Sequence, residues 1–73
     1  MIFLVVDKSE EIRNRIKKLI REKVKTAKIY ESKSNEEAMA LVNSYKPKYL
    51  ITDVDLVDGS GLSLISFMFL SIF

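Results

Sequence analysis

Two apolar runs in this chain end directly at an aspartate. Residues 2–6 read Ile-Phe-Leu-Val-Val before Asp7, and residues 48–52 lead through a second apolar stretch into Asp53. Continuous runs of branched apolar residues are typical of strands that are buried on both faces of a parallel sheet. A carboxylate at the end of such a strand is costly unless it is paired, binds a cation or opens to a cleft. The two strand ends are therefore the first candidates for a functional site.

Between these runs the apolar spacing changes to that of amphipathic helices. Ser9 is a good N-cap, and the apolar stripe that follows predicts a helix from about Ser9 to Lys23. Ser34 opens a capping box and a second apolar stripe, which ends before Pro47. Alternation over residues 27–31 predicts a strand that is exposed on one side.

The predicted order of elements is strand, helix, strand, helix, strand, which requires a parallel α/β sheet with right-handed crossovers. The two strands that end in acids are the most buried, so we expect them to be neighbours in the sheet. Their carboxyl ends then lie side by side, which places Asp7 and Asp53 at one edge of the sheet. Ligand sites of open α/β sheets lie at this edge.

Composition narrows the chemistry that the chain can perform. Its 73 residues allow one small domain. Cysteine and histidine are absent, which excludes disulfides, thiol nucleophiles, histidine bases and the usual zinc sites. A net charge of +2 is too small to indicate nucleic-acid binding, and neither a secretory signal nor a membrane span is evident. We therefore expect a cytoplasmic protein without a nucleic-acid or membrane partner.

The last twelve positions are unusual. Gly59 and Gly61 permit a tight turn after the third strand, and Ser60 is suited to cap a third helix that starts near Leu62. Residues 62–73 are apolar almost all the way round this helix, with only serines between and no charge. We describe them as an atypical apolar C-terminal helix or tail.

Four segments, taken in this order, resemble the receiver domain of two-component response regulators. They are Phe3-Leu-Val-Val-Asp7, Asn35-Glu-Glu-Ala38, Leu50-Ile-Thr-Asp53 and Asp58-Gly-Ser-Gly-Leu62. The resemblance extends to about Ile65 and implies a three-layer, partial flavodoxin-like (βα)3 fold with a parallel sheet ordered 2-1-3. By this resemblance, residues 1–73 form a single receiver-like domain that is truncated after the third helix.

The resemblance also implies a phosphorelay function. Asp53 would accept a phosphoryl group from a histidine kinase or phosphotransfer protein, which would bind at helix one, and so regulate an output. Mg²⁺ would be held by Asp7, Asp53 and the backbone carbonyl of Asp55. Carboxylate and carbonyl oxygens are the ligands that Mg²⁺ prefers. The chain would not be an enzyme beyond Mg²⁺-dependent self-phosphorylation at Asp53.

The chain departs from the family in three ways, and the first two favour an alternative. Lys8 stands where receivers usually have a second acid, and a cation there opposes Mg²⁺ binding, although the Asp55 side chain could partly compensate. The family's switch Ser or Thr and its phosphate-binding Lys have no counterpart in this chain. The alternative is a phosphorylation-incompetent pseudo-receiver that acts as a dimerisation or interaction module, or a truncated remnant.

The third departure concerns assembly. In the order 2-1-3 the third strand is an open, hydrophobic edge, and such edges recruit another chain. We therefore expect a homo-oligomer, formed through the strand-three edge and residues Leu62–Phe73.

The hypothesis that this chain is a phosphatase has weaker support in the sequence. Asp53-Val-Asp55-Leu-Val57 fits the nucleophile loop of haloacid-dehalogenase-like phosphatases. That family normally begins with this strand and needs a long chain after it, whereas here it is the third strand.

Overall fold

The structure is a computed structural model that describes residues 1–56 and 58–72, with the backbone alone at residue 55 and residues 68–72. Its strands are β1 (Ile2–Val6), β2 (Lys28–Ser32), β3 (Tyr49–Thr52), β4 (Asp55–Leu56) and β5 (Gly59–Ser60). Its helices are α1 (Glu10–Lys23), α2 (Asn35–Tyr45) and α3 (Gly61–Ile72). The predicted α/β class and element order are confirmed. The β4–β5 pair was not predicted.

Strands β1, β2 and β3 form one parallel sheet in the order β2-β1-β3, as predicted. Leu4 is in register with Tyr30 on one side and with Leu50 on the other. The crossover through α1 leads to one edge of the sheet and that through α2 leads back to the other. Crossovers between parallel strands are right-handed in nearly all proteins, and in this strand order that places the two helices on opposite faces of the sheet. The three-layer, partial flavodoxin-like architecture with order 2-1-3 follows.

The core lies between the sheet and the α2–α3 layer. Its buried residues are Leu4, Val6, Ala38, Val42, Leu56 and Leu64. Leu64 is fully buried, whereas its neighbour Ile65 is 49% exposed. The apolar C-terminal helix therefore contributes one side to the core, although its composition does not distinguish that side. No helix in the described part of the chain is both long and apolar enough to cross a bilayer.

Side-chain caps explain where the first two helices begin. The Ser9 hydroxyl accepts a hydrogen bond from the Ile12 N–H at 3.3 Å, and the Ser34 hydroxyl accepts one from the Glu37 N–H at 3.2 Å. In a capping box the Glu37 side chain would also accept a hydrogen bond from the Ser34 N–H. Here the Ser34 N–H donates to the Ser32 hydroxyl instead. Both predicted N-caps are confirmed.

Candidate acidic site at the strand ends

Asp7 and Asp53 extend neighbouring strands by one residue each. Val6 and Thr52 are partners in the β1–β3 register. The ladder then continues, because the Asp53 N–H donates to the Val6 carbonyl at 2.9 Å and the Asp7 N–H donates to the Ser32 carbonyl at 3.1 Å. Neighbouring strands lie about 4.8 Å apart. The structure therefore brings the two predicted aspartates to the same edge of the sheet, next to each other.

The Asp7 side chain is buried, with only 8% of the residue exposed. One carboxylate oxygen accepts a hydrogen bond from the Ser9 N–H at 2.9 Å, which connects the end of β1 to the start of α1. The guanidinium of Arg13 donates to the Asp7 backbone carbonyl at 2.5 Å. The same guanidinium also pairs with Glu31, so it connects the backbone of Asp7 to β2. Lys8, by contrast, is exposed.

The backbone at Asp53 is packed tightly against the start of α3. The Thr52 hydroxyl donates to the Asp53 carbonyl oxygen at 2.9 Å. A β-carbon added to Gly61 would overlap this same carbonyl oxygen and would lie 2.9 Å from the Thr52 hydroxyl. Only glycine fits at position 61, because a side chain there would overlap the backbone of Asp53.

The backbone carbonyl of Asp55, in β4, points away from its partner strand β5. The Gly61 N–H donates to the Val54 carbonyl at 2.9 Å, which directs that carbonyl toward the returning chain. Successive carbonyls along a strand point to opposite sides. The Asp55 carbonyl is therefore directed away from β5, which is compatible with its predicted role as a ligand. We call Asp7, Asp53 and this carbonyl the strand-end site.

The third acid of the loop serves a different purpose. The Asp58 carboxylate accepts hydrogen bonds from the Asn35 N–H at 2.6 Å and the Glu36 N–H at 2.9 Å, at the start of α2. These bonds, that from Glu36 first, lower the pKa of Asp58. Asp58 therefore connects the loop after β3 to α2. This contact could not be predicted from the sequence, because the partners are separated by more than twenty residues.

An ion-pair cluster lies beside the strand-end site, between α1 and β2. Glu31 accepts hydrogen bonds from Lys17 and from Arg13, the latter at 2.8 Å. Both partners, Lys17 first, lower the pKa of Glu31. Arg13 and Lys17 lie on α1, and both side chains are largely buried by this contact with Glu31. Their spacing of four residues on one side of α1, facing an acid on β2, is the signal that could have identified the cluster.

The donor types of the strand-end site suit a hard cation such as Mg²⁺, since two carboxylates and a carbonyl supply only oxygen. Within the described side chains, no group of three or more acids is close enough to form a metal cluster. The side chain of Asp55 is not among these described side chains.

Comparison with known proteins does not identify a family. No protein-family model matches this chain, and no curated protein matches it with significant similarity. Assignment to a function therefore rests on the fold and on the strand-end site.

Proposed function

We propose that this chain is a receiver module of a two-component phosphorelay, with Asp53 as the phosphoacceptor. One observation carries the proposal: Asp7 and Asp53 continue adjacent parallel strands in register and so lie together at the carboxyl edge of a sheet ordered 2-1-3. This edge is the usual ligand site of such sheets. Most loop acids cap local turns, whereas this pair comes from strands separated by most of the chain.

In the proposed reaction a carboxylate oxygen of Asp53 attacks the phosphorus atom of a phosphohistidine on the partner. A new O–P bond forms, the P–N bond breaks, and the imidazole leaves and takes up a proton. Asp7 lies beside the acceptor and raises the local negative charge, which must be compensated before an anionic phosphoryl group approaches. The donors that the structure describes here include the Ser9 N–H, which donates to the Asp7 carboxylate, and the Arg13 guanidinium, which donates to the Asp7 backbone carbonyl.

Mg²⁺, when bound, would supply the missing compensation of charge. Asp7, Asp53 and the Asp55 carbonyl are the residues that would hold it. The buried Asp7 carboxylate supports this assignment, because a buried acid next to a second acid is stabilised by a cation.

The proposed partner, a histidine kinase or phosphotransfer protein, would bind at the start of α1. Ile12 lies in the first turn of this helix, close to the strand-end site, and 43% of it is exposed. The last turn of α1 carries Arg21 and Lys23, which suit an acidic partner surface.

A second candidate function is an interaction module whose strand-end site is inert. Lys8 favours it, because its ammonium follows Asp7 directly where receivers usually carry a second acid. Arg13 favours it too, since its guanidinium already contacts the backbone of Asp7. Cations at both positions reduce the net negative charge that attracts Mg²⁺.

Intact-mass spectrometry after incubation with acetyl phosphate and Mg²⁺ separates the two candidates. We expect a single phosphoryl adduct on the wild type and none on Asp53→Asn, which keeps the shape of the acceptor but removes its charge. Lys8→Asp restores the second acid, and we expect it to increase both the adduct and Mg²⁺ affinity, measured by calorimetry. Lys33→Asp is a matched control, because Lys33 is exposed and follows β2.

Circular dichroism of each variant shows whether it is folded. A folded wild type and a folded Lys8→Asp variant that both lack the adduct would rule out phosphotransfer for this chain. An adduct on the wild type alone, absent from Asp53→Asn, would eliminate the inert module.

A further inference from the structure

Helix α1 leaves one of its apolar flanks outside the core. Arg13 and Lys17 contact Glu31 of β2, so their flank of the helix lies toward β2. In the order β2-β1-β3 the opposite flank lies toward β3. That flank carries Ile12 and Leu19, and these side chains are 43% and 59% exposed. The apolar surface of α1 is therefore only partly covered by its own sheet.

The exposed residues form a stripe along the helix. Ile12, Ile16 and Leu19 are spaced by four and then three residues, which places them on one side of an α-helix. Ile16 is half-buried between its two exposed neighbours. We call these three residues the α1 stripe. Their spacing is that of the positions along which two helices pack in a coiled coil.

The sheet beside this stripe is apolar and partly exposed as well. Leu4 points into the core on the α2 side, and successive side chains of a strand point to opposite faces, so Phe3 lies on the α1 face. Its register partner Tyr49 stacks on it with 4.9 Å between ring centroids. Tyr49 and Ile51 are 39% and 36% exposed. The α1 stripe and these two side chains therefore lie on the same face of the molecule.

The charges of α1 indicate what would fit against the stripe. The first turn of the helix carries Glu10 and Glu11, and the last turn carries Arg21 and Lys23. Antiparallel packing on a second copy of α1 brings the acidic turn of each helix beside the basic turn of the other, twice by symmetry. Parallel packing would oppose like charges. A second copy of this chain in the antiparallel orientation is therefore the complementary occupant.

One register suits the apolar positions of both helices. When the two-fold axis crosses the middle of α1, Ile16 of each copy faces Leu19 of the other. Ile12 then faces Lys23 of the second copy. The aliphatic stem of a lysine can cover an apolar side chain while its ammonium stays in water. Each member of the α1 stripe thus has a partner.

The same register pairs opposite charges beside the stripe. Arg15 and Glu22 lie seven residues apart on its outer side, and Arg15 of each copy faces Glu22 of the other. Within its own helix Arg15 pairs with Glu11 at 2.8 Å, but the two side chains are 74% and 75% exposed. Such an exposed pair contributes little to stability, so Arg15 can exchange Glu11 for Glu22 of the second copy at small cost.

We propose that two copies of this chain associate through antiparallel packing of α1 on α1, with Ile16 of each copy against Leu19 of the other. The contact covers Ile12, where the phosphodonor of the proposed function would bind, so self-association and binding of that partner exclude each other. The association itself needs neither Asp53 nor Mg²⁺, so this proposal and the proposed function can fail separately.

Analytical ultracentrifugation over a range of protein concentrations tests the contact. Leu19→Lys places a charge opposite Ile16 in both symmetric pairs, and we expect it to weaken self-association about tenfold or more. Leu62→Lys is the matched control, because Leu62 is 61% exposed but lies on α3. We expect it to leave association unchanged. Circular dichroism shows that each variant is folded.

The two lysine variants also distinguish other modes of association. Dimers that are lost in Leu62→Lys and kept in Leu19→Lys would assign the contact to α3 and overturn the proposal. Equal losses in both variants would indicate nonspecific apolar association and would overturn it too.

Reversal of charge tests the register. Arg15→Glu opposes two acids across the contact, and we expect it to weaken association severalfold at low salt and less at high salt. Addition of Glu22→Arg to the same chain restores opposite charges and should recover association. Lys18→Glu makes the same change of net charge at an exposed position farther from the stripe, and should have little effect. A double variant without recovery, or equal effects of Arg15→Glu and Lys18→Glu, would refute the register.

The wild type alone provides the simplest test. Its sedimentation coefficient should rise with protein concentration as dimers form. A wild type that stays monomeric throughout the accessible range would contradict the proposal. Association that occurs only when a protein of different sequence is added would assign the α1 stripe to that partner instead and would equally overturn it.

Discussion

Replacement of Gly61 by alanine tests the contact that positions the acceptor aspartate. Gly61 is buried at the start of α3 and lies directly against the Asp53 carbonyl oxygen. An added β-carbon would overlap that oxygen, which is a backbone atom and cannot rotate away. It would also approach the Thr52 hydroxyl at 2.9 Å. Either the turn after β3 or the first turn of α3 must move.

The magnitude follows from two opposing effects. Overpacking of a well-packed site costs about 1–3 kcal/mol. Alanine is favoured over glycine in helices by up to about 1 kcal/mol, and by less at a first helical position such as this one. The net loss is therefore about 1–2 kcal/mol. A chain of 73 residues has a total stability of about 4–11 kcal/mol, so the change is measurable but does not unfold the protein.

Urea denaturation followed by circular dichroism measures this loss. With a slope near 1 kcal/mol per molar urea, the midpoint of Gly61→Ala should fall by about 1–2 M. Leu62→Ala is the control: the neighbouring residue is exposed, and its substitution should change stability by about 0.5 kcal/mol or less. An unchanged or raised midpoint for Gly61→Ala would show that α3 does not pack against Asp53 in this way.

Two further predictions concern α3 and the ion-pair cluster. Leu64→Ala should reduce the free energy of unfolding by about 2–5 kcal/mol in the same urea assay, because Leu64 is fully buried. Ile65→Ala, at an exposed position, should reduce it by about 0.5 kcal/mol. Equal losses would mean that α3 does not pack on the core as described. The lowered pKa of Glu31 means that its stabilising effect is complete above its ordinary value of 4.5 and is lost as the pH falls through the lower folded value. Glu31→Gln should therefore reduce the free energy of unfolding at pH 7 by about 0.5–1 kcal/mol, a figure that allows for solvent screening of a partly exposed pair. The difference between wild type and variant should shrink below pH 4.5. A difference that stays constant with pH would refute the assigned cause.

The elements that could be predicted are those with local signals. The N-caps at Ser9 and Ser34 start α1 and α2 one residue later, and the run before Asp7 is the central strand. The position of Asp7 beside Asp53 was also predictable, because buried parallel strands that end in acids are expected to be neighbours. The contact of Asp58 with α2 could not be predicted, because it joins distant segments through backbone N–H groups that every helix start possesses.

The loop after β3 is fixed by contacts within the chain itself. Asp58 accepts two N–H groups of α2, and Gly59, with φ of 154°, lies so close to Asn35 that an added β-carbon would be 2.8 Å from its amide nitrogen. Gly61 contacts the Asp53 backbone at the other end of the loop. None of these contacts needs a cation, so the backbone of the strand-end site forms when the chain folds. A folded Lys8→Asp variant that accepts a phosphoryl group when the folded wild type does not would therefore assign the defect to charge at Lys8 rather than to backbone geometry.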